Sequence, residues 1–145
     1  MKFFLIVDKD KEPSVTVVCN SVTDTVTKIE QLCRESTPIE SINGYLNEEI
    51  VRLCVKDIWY FCTDGGKVFA CFNGERFLTK LRIKDIEEFS NSDFVKINQG
   101  CVVNINRIKK FRASIGGALK VEFEDGYHDY VARRELKNVK RRLGL

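Results

Sequence analysis

Phe94-Val95-Lys96-Ile97-Asn98-Gln99-Gly100-Cys101-Val102-Val103-Asn104 is half strand and half loop. Phe94, Ile97, Val102 and Val103 are apolar and require a core. Lys96, Asn98, Gln99 and Gly100 between them require water or a polar partner. An apolar rim around a basic, amide-rich centre suits a rigid loop held out for contact, and amides with a cation can meet base edges and phosphates. Asn104 follows two valines, so its amide is expected to be buried and satisfied, pinning the next turn.

Working outward, charge is divided along the chain. Phe94 to Leu145 holds twelve Lys/Arg against five Asp/Glu, and Met1 to Asp93 twelve against sixteen, within an overall +3. A basic segment beside an acidic one points to a polyanion partner, with a solvated charged face as the alternative. At 145 residues, 43% hydrophobic and 31% charged, the chain has the composition of a globular protein with one domain plus a small appendage. Its six cysteines form no C-x-x-C pair and are joined by a single histidine, His128, which disfavours zinc. Thiols inside apolar runs fit a reducing cytoplasm. The run Phe3–Val7 is too short for a signal-peptide core or a membrane span.

The leading segment, 1–43, reads as β-β-α. Phe3–Val7 and Val15–Cys19 are strand-like runs that could pair as a hairpin. A helix then follows from Ser21, with Ser21 and Asp24 resembling a capping box and Val22, Val26, Ile29 and Cys33 at helical spacing. Leu5-Ile6-Val7-Asp8-Lys9-Asp10 looks like the start of a phosphoryl-receiver domain, but about forty residues are too few for one. A dimerisation role suits the segment better.

From Gly44 the texture becomes β. Strands are expected over 49–55, 58–63, 67–72, 76–81, 94–97, 101–105, 119–123 and 127–131, divided by Gly65-Gly66, Asn73-Gly74, Gly116-Gly117 and Asp125-Gly126 turns. Ile83, Ile86 and Phe89 mark a short helix without an evident N-cap. A last helix runs from about Arg133 to Leu143, with Leu136, Val139 and Leu143 as its stripe and Gly144 as its stop. The whole is α+β, mainly β.

These elements, in this order, resemble the LytTR family of bacterial DNA-binding domains over about 44–145. Asp57-Ile58-Trp59-Tyr60-Phe61 resembles the family's D-I-x-Y-F/I strand. Phe94-x-Lys96-Ile97 with Val102-Val103-Asn104 and Ile108 resembles its central core. Gly126 and Val131-Ala132-Arg133 resemble its ending. The resemblance implies an elongated β fold whose inter-strand loops enter successive major grooves of duplex DNA, in a transcriptional regulator without a receiver and so without a phosphorylation switch. It implies base contacts at Lys67, Gln99 and Arg133, and phosphate neighbours at Lys96, Asn98 and Arg134. Arg133 could pair with guanine and Gln99 with adenine. Gly100 and Ala132 stand where the family usually carries serine, and Cys62 where it usually carries an acid.

Two modules, as a homodimer or in tandem on a repeated site, would raise affinity through effective concentration. An enzyme is disfavoured, because His128 has no accompanying nucleophile, phosphate cradle or metal spacing. No cofactor, metal, membrane or small-molecule substrate is expected. The runner-up is a protein-interaction or single-stranded RNA-binding β module that stacks bases on Trp59, Tyr60, Phe61, Phe69 and Phe72. A redox sensor built on one of the thiols is a third reading.

Overall fold

The computed structural model describes residues 2, 6–8, 10–11, 14–35, 39–89 and 93–145, with 34, 35 and 89 described by backbone alone. They fall into two units, Met1–Thr37 and Pro38–Leu145.

In the first unit, α1 (Asp24–Glu35) begins later than the Ser21 capping box suggests. Thr23 is the residue that caps it. Its hydroxyl accepts the Val26 N–H at 3.5 Å and its carbonyl accepts the Thr27 N–H at 3.0 Å. Val26, Ile29 and Cys33 form a half-buried stripe, while Val22 precedes the helix and is exposed. The expected hairpin is corrected in part: Val15–Cys19 carries no strand, and Val15 and Val18 are exposed. Phe3–Leu5, in the partner run, lie outside the described residues. β-branched residues raise strand propensity but do not by themselves make a strand.

The second unit is built on one antiparallel sheet. Its strands are β1 (Ser41–Leu46), β2 (Glu49–Cys54), β3 (Tyr60–Asp64), β4 (Lys67–Phe72), β5 (Glu75–Leu78), β6 (Phe94–Asn98) and β7 (Cys101–Asn104), in the spatial order β2-β1-β5-β4-β3-β7-β6. A smaller sheet, in the order β10-β9-β8, contains β8 (Lys110–Ala113), β9 (Leu119–Glu122) and β10 (His128–Tyr130). Two helices complete the unit, α2 (Ile83–Phe89) and α3 (Arg133–Leu143).

Neighbouring residues in the central strands serve two different cores. Phe61, Ala70, Val102 and Phe94 join Phe77, Ile58 and the Ile86 of α2. Tyr60, Cys71, Val103 and Val95 join Leu119, Val121 and Phe123 of the small sheet region and the Val139 of α3. Because side chains alternate along a strand, this assignment means that both faces of the central sheet are covered. Continuous apolar runs such as Cys101-Val102-Val103 follow directly, since neither face needs to be polar.

Two strands have no counterpart in the sequence expectation. β1 draws residues 41–43, assigned to the leading segment, into the sheet, and pairs with β2 from Ser41↔Cys54 to Leu46↔Glu49. Its Gly44 makes room for the core: a Cβ there would lie 2.6 Å from Leu53 Cδ1 and 2.7 Å from Phe77 Cβ. β8 is an edge strand with all four residues exposed, so no hydrophobic alternation announces it.

Local caps fix the ends. The Asp85 carboxylate accepts the Arg82 N–H at 2.9 Å, supplying at the start of α2 the closure not evident in the sequence. Gly144, at φ 72°, and Leu145 donate to carbonyls of the last turn of α3. Asn104 is buried; its Nδ2 donates to the Ile58 carbonyl at 3.1 Å and its Oδ1 accepts the Asn106 N–H at 3.0 Å. This is the pinning role read from the sequence.

Candidate nucleic-acid interface

Three chain turns meet at one end of the second unit. The first joins β3 to β4 through Gly65 and Gly66, whose φ values of 56° and 74° suit the two-residue turn that the Asp64↔Lys67 pairing closes. Lys67 is exposed at its exit. The second joins β6 to β7 through Gln99 and Gly100, closed by the Asn98↔Cys101 pairing after an irregularity between Lys96 and Asn98. The third is the passage from β10 into α3, where Arg133 is the first helical residue.

Backbone hydrogen bonds join these turns. Thr63 N–H donates to the Gly100 carbonyl at 2.8 Å, linking the first turn to the second. Ala132 N–H donates to the Ile97 carbonyl at 2.7 Å, linking the second to the third. Lys67 and Gln99 are therefore two to three strand spacings apart, on the order of 10–15 Å.

Asn98 adds a side-chain clamp. Its Oδ1 accepts the Gly100 N–H at 2.9 Å, which shapes the turn. Its Nδ2 donates to the Asp129 carboxylate and to the Tyr130 carbonyl, both at 3.0 Å. The amide thus makes three hydrogen bonds within the protein, which tie the β6–β7 turn to the strand leading into α3. Sequence reading missed Asp129, which also accepts from the Tyr130 N–H at 2.7 Å and the Tyr127 hydroxyl at 3.2 Å. Its place one residue after His128 gave no signal, because its partners are remote in sequence.

The polar groups at this end divide into engaged and free. Asp64 is paired with Arg76 at 3.1 Å. Lys96 is half-buried, with its ammonium 3.3 Å from the Glu87 carboxylate of α2. Arg134 is exposed and 3.8 Å from Glu135. Lys67, Gln99 and Arg133 are exposed, and their side chains have no hydrogen-bond or ion-pair partner among the described residues. Not every cation of the basic half is available. Arg142 donates to the Phe94 carbonyl at 3.1 Å and ties α3 to β6.

The departures from the family's serines become concrete here. At Gly100 a Cβ would lie 3.5 Å from Thr63 Cβ, an ordinary contact, so the position does not require glycine. Ala132 is the N-cap of α3 at φ −64°, ψ 146°, and has no side chain to accept from the first turn.

Of the aromatic residues imagined as a platform for unpaired bases, two are core, and Trp59, Phe69 and Phe72 are half-buried and packed against it. Tyr60 and Phe61 are buried, with Tyr60 stacked on Tyr127 at 3.9 Å. Phe72 stacks on Phe77 at 5.3 Å, and Arg76 covers the ring of Phe69 at 4.3 Å. His128 is exposed on β10. Among the described residues no cluster of His, Cys, Asp and Glu could hold a metal ion, and no helix is long and apolar enough to cross a membrane.

Comparisons with known proteins bear on the fold and the family. An "HTH-type transcriptional regulator" of Staphylococcus aureus strain MSSA476, itself uncharacterised, is 26% identical over 146 residues, covering 100% of this chain and 99% of the relative. The corresponding protein of strain NCTC 8325 / PS 47 is 25% identical with the same coverage. In this chain α2 and α3 are separated by β6 to β10, so they do not form the helix pair that the relatives' class name describes. A solved LytTr DNA-binding domain from Bacillus cereus superposes with a TM-score of 0.69 at 13% identity, covering 74% of this chain and 99% of that one. That likeness speaks for the fold. The profile of the LytTr DNA-binding domain matches residues 48–144, from the β1–β2 turn to the end of α3, and the chain therefore belongs to the LytTr DNA-binding domain family.

Proposed function

We propose that this protein is a transcriptional regulator that reads duplex DNA through the three joined turns, with Lys67, Gln99 and Arg133 meeting base edges in the major groove. Arg133 supplies a bidentate donor for guanine and Gln99 an amide for adenine. Arg134, adjacent to Arg133, and Lys96 and Asn98, within three residues of Gln99, are the candidates for phosphate contact, Lys96 after exchanging its Glu87 partner. The observation that best supports the reading is that these three side chains are exposed and, among the described residues, unpartnered, while their polar neighbours Asn98 and Asp64 are engaged within the protein. One module covers few base pairs, so the site is a repeated element bound by a homodimer or by two copies in tandem.

The test is fluorescence anisotropy on a duplex obtained by random-oligonucleotide selection. Arg133→Ala weakens binding to the selected site by about 1–3 kcal/mol and leaves binding to a scrambled duplex nearly unchanged. An equal loss on both duplexes would make Arg133 a phosphate contact. Tighter binding to the same sequence as single-stranded RNA would favour the runner-up.

A further inference from the structure

Beneath the β3–β4 turn lies a cleft of about 240 Å³ lined by Tyr60, Cys62, Thr63, Asp64, Arg76 and Tyr127. Cys62 is half-buried there, and its Sγ lies 3.6 Å from the Sγ of buried Cys71 on the next strand. The two are diagonal neighbours, since Cys62 pairs with Phe69 and Cys71 with Tyr60. On its other side Cys62 pairs with Cys101 of β7.

We propose that Cys62 and Cys71 form an oxidisable dithiol, modified by hydroperoxides, whose disulfide weakens DNA binding by distorting the turns that carry Lys67 and Gln99. The second half of this inference rests on the DNA-reading role proposed above. The chemistry of the pair does not.

The two thiols have different parts. The hydrogen bond from Cys71 holds the Cys62 thiol below its ordinary value, against the opposing effect of burial and with help from the nearby Arg76 guanidinium. The Cys71 thiol is pushed up, by that same hydrogen bond and by burial. Cys62, facing the cleft, is therefore the nucleophile, and Cys71 keeps its proton. The Cys62 thiolate attacks the O–O bond of a peroxide, which breaks to leave a sulfenic acid on Cys62 and hydroxide or alkoxide. The Cys71 sulfur then attacks the sulfenic sulfur. The S–S bond forms, the S–O bond breaks, and water leaves with the Cys71 proton. Overall, two thiols lose two electrons and one peroxide is reduced. Cys101 is a poorer candidate: it is buried, and burial raises its thiol.

The consequence follows from strand geometry. A disulfide needs the sulfurs at about 2.05 Å, so closing the 3.6 Å gap draws β3 and β4 together along a diagonal. The strain falls on the turn ending at Lys67. It also falls on the β3–β7 pairing, and through the Thr63–Gly100 hydrogen bond on the turn carrying Gln99.

The test uses the full chain. Reduced protein is titrated with hydrogen peroxide, digested with trypsin, and mapped by mass spectrometry without reduction, while anisotropy on the selected duplex is followed in parallel. The expected product links peptides 57–67 and 68–76, which contain Cys62 and Cys71 and are separated by cleavage after Lys67. Binding to the selected duplex weakens by about tenfold or more, the scale of losing one base contact, and a thiol reductant restores it. Cys62→Ser binds as tightly as the reduced protein and ignores peroxide. Cys71→Ser, checked for folding by circular dichroism, stops at a Cys62 sulfenic acid that dimedone traps. Unlinked peptides in a protein that binds DNA when reduced would overturn the dithiol. So would equal peroxide sensitivity of Cys62→Ser. Reduced protein that binds no duplex would instead overturn the DNA reading and the regulatory half of this inference, while the peptide map still decides the chemistry.

Discussion

The amide of Asn98 makes one hydrogen bond within its own turn and two across to the strand leading into α3. One residue thereby joins the β6–β7 turn, which carries Gln99, to the strand that precedes Arg133. This link was not visible locally, because the partners lie 31 and 32 residues away. Gln99 and Arg133 themselves were legible as polar residues interrupting apolar runs at positions matching a known motif. Ala132 offers a direct experiment at this scale. As the N-cap of α3 it leaves the first-turn N–H groups without a side-chain acceptor. Ala132→Ser is expected to stabilise the fold by about 1 kcal/mol, read as a higher urea midpoint at unchanged slope. An unchanged midpoint would mean that the first turn already has its donors satisfied.

Among elements, the small sheet is held by charge as well as by packing. Glu122 of β9 lies within 3.1–3.4 Å of Lys110, Arg112 and Lys120. The hydrogen bond from Lys110, then that from Lys120 with the nearby Arg112, holds its carboxyl below the usual carboxylate range. A folded-state value below the unfolded one gives stability that is present above the unfolded value and lost as pH falls through the folded value. The wild-type protein should therefore lose stability on acidification below the ordinary glutamate range, and Glu122→Gln should flatten that part of the curve. A parallel acid limb in the variant, measured by thermal melting across pH, would assign the loss to other groups. The strands that sequence missed have physical reasons for being missed. β8 lies at an edge and exposes all four residues, and β1 carries a glycine that is there for the closeness of Leu53 and Phe77 rather than for a turn. The leading hairpin was over-read, since β-branched residues at 15–18 describe a propensity and not a partner.

At the scale of the whole molecule, the acidic half supplies much of the central sheet and the basic half supplies β6 to β10 and α3. The charge division gave the end of the chain on which to look for a polyanion, and the turn glycines gave the hairpins. What neither could give is the way strands distant in sequence bring the 64–67, 98–100 and 130–133 turns together, since that follows from the β3–β7 pairing and the Ala132–Ile97 hydrogen bond. The proposal that these turns form a single reading surface is tested most directly by an amide NMR titration with the selected duplex. Shift changes and broadening should concentrate at residues 64–67, 98–100 and 130–134, leaving the β1–β2 hairpin and α2 nearly unmoved. Perturbations centred on the β1–β2 hairpin or α2, with Lys67, Gln99 and Arg133 silent, would contradict the account.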